Sequence, residues 1–173
     1  MGSISKTHKC DDCGNVVMIS NSDYSVHNER AYTISDYASG TNSTDGVQWY
    51  IHTGSKELHM NFVVAVNGAS RIYFHKDITF TTTNAGSVVT SYNLNTSSSN
   101  ALSTVIYGSG TVTTSGTIMR HTYTPDLATG LGAGRTQGDT HYVLVADSKH
   151  MIKAKCLSGT ANVCLNMFLS ERQ

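Results

Sequence analysis

The chain has 173 residues, equal numbers of acidic and basic side chains, and a hydrophobic share of 39%. Charged residues make up only 14%, against about 25% in an average globular domain, and Ser, Thr, Asn and Gly fill the gap. With lysines and arginines scattered and no apolar run near the ~20 residues a bilayer span needs, neither a nucleic-acid partner nor a membrane is expected.

A chain of this length buries a core without staples. Its many hydroxyls suit pleated strands and tight turns. Glycine is plentiful at 15 and proline nearly absent at one, so the turns must rely on residues that tolerate positive φ.

Residues 1–28 are polar and irregular and read as an N-terminal arm, with residues 29–173 forming the folded domain. The opening Met1-Gly-Ser-Ile-Ser-Lys-Thr-His8 has no hydrophobic segment, so no signal peptide is expected. Synthesis in a cytosol follows, with the four cysteines starting out reduced. Within the arm, Cys10-Asp-Asp-Cys13 with His8 two residues earlier is the one metal-like spacing. Zinc takes four ligands; His8, Cys10 and Cys13 supply three, and Cys156 or Cys164 completes the set only if the arm folds back. The plainer expectation is two arm thiols or a labile disulfide, with no cofactor.

After the arm, strands are expected at Ala31–Tyr37 and Val47–His52, then a hairpin. Glu57–Val66 meets Asn67-Gly68 and continues as Ala69–Lys76. Asn-Gly between β-rich runs is the strongest short hairpin signal, because both turn residues take positive φ. That pairing sets Val66 against Ala69, Val64 against Arg71 and Phe62 against Tyr73, with His59 and His75 on opposite faces. Both faces of the pair carry apolar side chains, so a second cover is expected, from the chain itself or from a neighbouring subunit.

Further strands are expected at Ser87–Tyr92, Ser103–Tyr107, Gly116–Tyr123 and His141–Ala146. A last hairpin joins Lys149–Cys156 to Val163–Leu169. Cys156 and Cys164 flank its turn, where a cross-strand disulfide is geometrically possible, although buried thiols suit a cytosolic origin better. Asn93–Ala101 and Pro125–Thr140 read as long loops. Regular turn spacing between short strands is the pattern of an all-β, antiparallel β-sandwich, jelly-roll-like, of about eight strands.

Candidate chemistry is thin. The stretch around Gly130, Gly132, Gly134 and Gly138 lacks the following helix that a phosphate loop needs. Asp77, Asp126, Asp139 and Asp147 sit singly at turns. No nucleophile elbow is present, so no enzyme is expected. Trp49 and Tyr50 are candidates for stacking on a sugar, although strand positions more often face a core or an interface.

Three stretches carry a family resemblance: Val26-His-Asn-Glu-Arg-Ala-Tyr32; Tyr73-Phe-His-Lys-Asp-Ile-Thr-Phe-Thr-Thr-Thr-Asn-Ala-Gly86 with Val89-Thr-Ser-Tyr-Asn-Leu-Asn-Thr-Ser97; and Leu157-Ser-Gly-Thr-Ala-Asn162. With these the chain resembles the capsid decoration or cement proteins encoded beside the major capsid protein of tailed bacteriophages. It departs from them in lacking an arginine after Tyr92-Asn93 and in its cysteine-bearing arm. The resemblance implies a jelly-roll virion protein made in the host cytoplasm. Such a protein would form a homotrimer and bind the major capsid protein on the capsid surface at capsomer junctions. The rival expectation is a carbohydrate- or receptor-binding module of a head fibre or tail, with Trp49, Tyr50 or the glycine loop at its site.

Overall fold

The computed structural model describes residues 8–10, 16–18, 28, 30–42, 44, 46–81, 86–109, 114–124, 134–135 and 141–172. Fourteen strands occur among them, and no helix. A short ladder pairs β1 (His8–Cys10) with β2 (Val16–Met18). The rest form two antiparallel sheets.

The first sheet has the order β11 (Gly134–Arg135), β5 (Glu57–Val66), β14 (Thr160–Arg172), β3 (Ala31–Asn42), β8 (Ser91–Asn93). There β12 (Tyr142–Leu144) also pairs with β5. The second has the order β10 (Thr117–Thr124), β6 (Ser70–Lys76), β13 (Lys149–Cys156), β4 (Val47–His52), β9 (Val105–Ser109), β7 (Gly86–Val88). Without the short β7, β8, β9 and β11, one sheet reads β3-β14-β5-β12 and the other β4-β13-β6-β10. Chain order then alternates between sheets at nearly every step, as in a double Greek-key jelly roll.

This alternation overturns both expected hairpins. β5 and β6 lie in different sheets, and so do β13 and β14. The connection at Asn67-Gly68 is an arch across the sandwich. Neither residue adopts the positive φ that a two-residue hairpin requires; Gly40, Gly46 and Gly159 do so elsewhere. Asn67 instead binds the neighbouring arch. Its backbone N–H donates to the Asn162 carbonyl at 3.3 Å, and its side-chain oxygen accepts the Asn162 N–H at 2.7 Å.

The physical reason lies in the core. Every second residue of β5 from Leu58 to Val66 is buried, and Ile72 and Phe74 are buried in β6. Facing sheets let these two sets pack on each other: Phe62 and Phe74 lie 5.7 Å apart, ring to ring. A hairpin with Phe62 opposite Tyr73 would instead have put the two sets on opposite faces of one sheet, each needing another cover. Burial at about 25 cal/mol per Å² of apolar surface favours the arch.

Most other strand positions agree with the sequence reading. The expected strand at Ser87–Tyr92 is split, with β7 in the second sheet and β8 in the first; Val89 bridges them and donates its N–H to the Ile106 carbonyl at 2.8 Å. Asp77 and Asp147 occupy turns with φ near +55° (56° and 54°). Asp126 and Asp139 lie outside the described residues. At Gly116, φ is 64° and a Cβ would overlap the Lys76 carbonyl, so this turn takes only glycine.

The second cover expected over a β5–β6 pair has no such pair to cover, because the two strands lie in different sheets; the chain covers instead part of the outer face of β4 and β13. Ile78 and Phe80 fold over the outer face of the second sheet onto Tyr50 and Met151. The Phe80 ring lies 5.2 Å from that of Tyr50, and Lys149 Nζ donates to the Phe80 carbonyl at 3.1 Å. At the other end of the long β6–β10 connection, Glu171 is buried beside residues 103–104. Its Oε1 accepts from Ser103 N, Ser103 Oγ, Thr104 N and Thr104 Oγ1 at 2.6–3.1 Å. One carboxylate on the longest strand thus pins the connection that carries β7, β8 and β9.

Candidate binding surfaces

The sequence-expected metal set is only partly described. His8 and Cys10 lie on β1, opposite Met18 and Val16 of β2. Cys13 falls outside the described residues, as do the side chains of the other two. Among the described residues, no group of three or more His, Cys, Asp or Glu is arranged to hold a metal ion.

Cys156 and Cys164 are free thiols, and the arch explains why. Cys156 points into the core from the second sheet, where its Sγ donates to the Ser158 carbonyl at 3.0 Å. Cys164 sits half-buried on the outer face of the first sheet, between Tyr37 and Ala65.

Both residues of the expected sugar-stacking pair are buried away from any ligand. Trp49 is fully buried and donates its Nε1–H to Asp36 Oδ2 at 2.7 Å. Tyr50 is fully buried under the Phe80 strap, where burial pushes its phenol up to about 12. Of the glycine loop, only the pairing of Gly134 and Arg135 with Val66 and Ala65 is described.

Three features emerge that the linear sequence did not announce. The first is a relay at the edge of the first sheet. His59 Nε2 lies 2.8 Å from Glu57 Oε1, and His59 Nδ1 lies 2.7 Å from His141 Nε2. With His59 donating to the carboxylate, its Nδ1 accepts from His141, leaving His141 Nδ1 as the basic atom. Burial, then the charges of His59 and Arg172, hold His141 below its usual range. The relay ties residue 141 to β5 across 82 positions of chain.

The second is a cationic block on the second sheet's outer face, beyond the Phe80 strap. Register puts Lys155, Arg71 and Tyr123 in one cross-strand row and Lys153, Tyr73 and His121 in the next. Arg71, His121 and Tyr123 are exposed. Among the described residues no acidic side chain stands in either row. Like charges directly opposite one another cost stability, by a few tenths of a kcal/mol to about 1 kcal/mol. The alternation of Lys153 and Lys155 with buried Ile152, Ala154 and Cys156 marks both as outward from sequence alone. Their meeting with Arg71 depends on strand order.

The third is an open cleft of about 430 Å³ at the opposite edge of the sandwich, between β3, β7, β8 and Gly108 of β9. Tyr37 and Tyr92 line it and are 62% and 63% exposed; Asp36, Ser87 and Thr90 add polar groups. Among the described residues β8 pairs with β3 only at Tyr32–Ile34, and no other described strand lies beside that edge of β3 beyond Ile34, where the cleft opens. The sequence signal for Tyr37 was its outward phase relative to Tyr32 and Ile34.

Comparison with models of known protein families and with curated proteins finds no match.

Proposed function

We propose that this protein is a non-enzymatic virion component that decorates or cements a tailed-phage capsid. In this reading it binds the outer shell at capsomer junctions as a homo-oligomer, with a trimer as the expected form. The observation that carries the reading is the Lys155–Arg71–Tyr123 and Lys153–Tyr73–His121 block. Its charge costs the folded monomer some stability, and an acidic partner surface offsets that cost. Tyr and Arg are among the side chains enriched at interface cores. Three cations make a short patch, suited to a protein surface of matching size more than to a long polyanion.

We assign self-association to the side of the sandwich where β10 and β12 form the sheet edges. Ile118, Met119, Val143 and Val145 are 47–66% exposed there, an apolar set that a second copy would cover. Oligomers bind a repeating shell with several weak contacts at once, so modest patches suffice. The resemblance of three stretches to capsid decoration proteins supports the same reading, and residues 1–28 would then add contact with the shell or a neighbour.

The test is imaging of shells of the major capsid protein incubated with this chain. Density at capsomer junctions is expected, falling as salt rises. Arg71→Glu with Lys155→Glu is expected to abolish it. Absence of the chain from purified virions would end the reading. Unchanged occupancy after removal of residues 1–28 would end the role of the arm.

A further inference from the structure

The geometry points to the Tyr37–Tyr92 cleft as a binding site for a neutral carbohydrate. Tyr37 and Tyr92 are outward residues of adjacent strands, and each leaves most of an aromatic ring in water. Sugar rings present apolar C–H faces to such rings and hydroxyl edges to the sides, so a cleft that suits them is aromatic on one wall and polar on the others. Here Ser35, Ser87, Thr90 and the Asp36 carboxyl group supply the polar lining beside the backbone of β3, and Val88 and Val89 add apolar surface. A volume of about 430 Å³ falls in the range of small-ligand sites and accommodates a saccharide of one or two rings.

Asp36 is preorganised, because its Oδ2 accepts from a tryptophan locked in the core. A carboxylate held this way accepts hydrogen bonds from sugar hydroxyls without first losing side-chain entropy. Gly108 keeps the approach open: a Cβ there would stand 3.1 Å from Asp36 Oδ2 and 3.4 Å from Val89 Cγ2. The charge of the site selects the ligand class. Its lining carries one carboxylate and no cation, so acidic sugars are repelled and neutral ones accepted. The cleft lies on the opposite side of the sandwich from β10, so this inference does not depend on shell docking.

The experiment is a glycan array probed with the full chain, followed by calorimetric titration of the best neutral oligosaccharide. Binding to neutral glycans is expected, weakened about tenfold or more by Tyr37→Ala and by Tyr92→Ala. Both side chains are mostly in solvent, so these variants should fold normally. Asp36→Asn keeps an acceptor for Trp49 and is also expected to weaken binding. Shell occupancy should be unchanged in the two tyrosine variants, which separates this proposal from the docking reading. No neutral glycan bound, or binding untouched by all three substitutions, would overturn it. So would binding of acidic glycans alone with dependence on Arg71 and Lys155, or occupation of the cleft by an extended peptide paired to the β3 edge.

Discussion

Trp49 and Tyr50 lie on β4; Tyr37 and Tyr92 lie on β3 and β8. The first two are fully buried, one in the core and one beneath the Phe80 strap, while the second two are more than 60% exposed. Aromatic identity is the same in kind, yet one pair holds the sandwich together and the other faces solvent at its edge. The lesson is that strand phase and neighbouring chain, more than residue type, decide whether an aromatic residue is structural or available for binding.

That contrast is sharpest in stability. Trp49→Ala is expected to cost about 3–5 kcal/mol, through a core cavity and the loss of the donor to Asp36. Tyr37→Ala and Tyr92→Ala should stay within about 0.5 kcal/mol of the parent. Urea denaturation of the three variants measures this, and a large loss for either surface tyrosine would break the comparison.

Glu171→Ala ranks next, at about 3 kcal/mol, because it strips the acceptor from two backbone N–H groups and two hydroxyls in a buried setting. Hydrogen exchange should quicken first around Ser103 and Thr104. The cleft lies on strands β7 and β8 that this anchor supports, so glycan binding in this variant should weaken together with stability. The tyrosine variants would lose the first and keep the second.

Acid should act more gently. Burial holds His75, His141 and His150 below their ordinary value of 6.5. Each takes up a proton more readily in the unfolded chain, so the folded state is at full strength above about pH 6.5 and weakens as pH falls below it. The urea midpoint should therefore drop between pH 7 and pH 5. His150→Gln should flatten that slope by removing the contribution of a buried ring stacked on Phe74, 5.8 Å away.

The smallest expected effect carries an unusual sign. Arg71→Gln should leave stability unchanged or raise it by a few tenths of a kcal/mol, since it removes a like-charge neighbour of Lys155. A clear loss would mean that the block is held by folded-state contacts of its own, and the argument for an acidic partner would fail.

Period-two alternation, turn residues and strand length are local properties, and they were enough for the all-β class and for the exact bounds of β4, β5 and β13. The pattern Tyr32, Ile34 against Thr33, Ser35, Tyr37 was already an inside–outside statement. The same local rules failed at Asn67-Gly68, because two alternating strands can meet as a hairpin or as an arch. Only the choice of partner strand, made by core packing between sheets, separates these outcomes.

Every surface feature of interest depends on that choice. His59 meets His141, Lys155 meets Arg71, and Asp36 meets Trp49 through ladders or facing sheets that join distant parts of the chain. Sequence alone determined which residues alternate inward and outward along each strand, because the pleat has a fixed period. The tertiary structure decided which outward residues became neighbours, because strand order is set by the burial of the whole core.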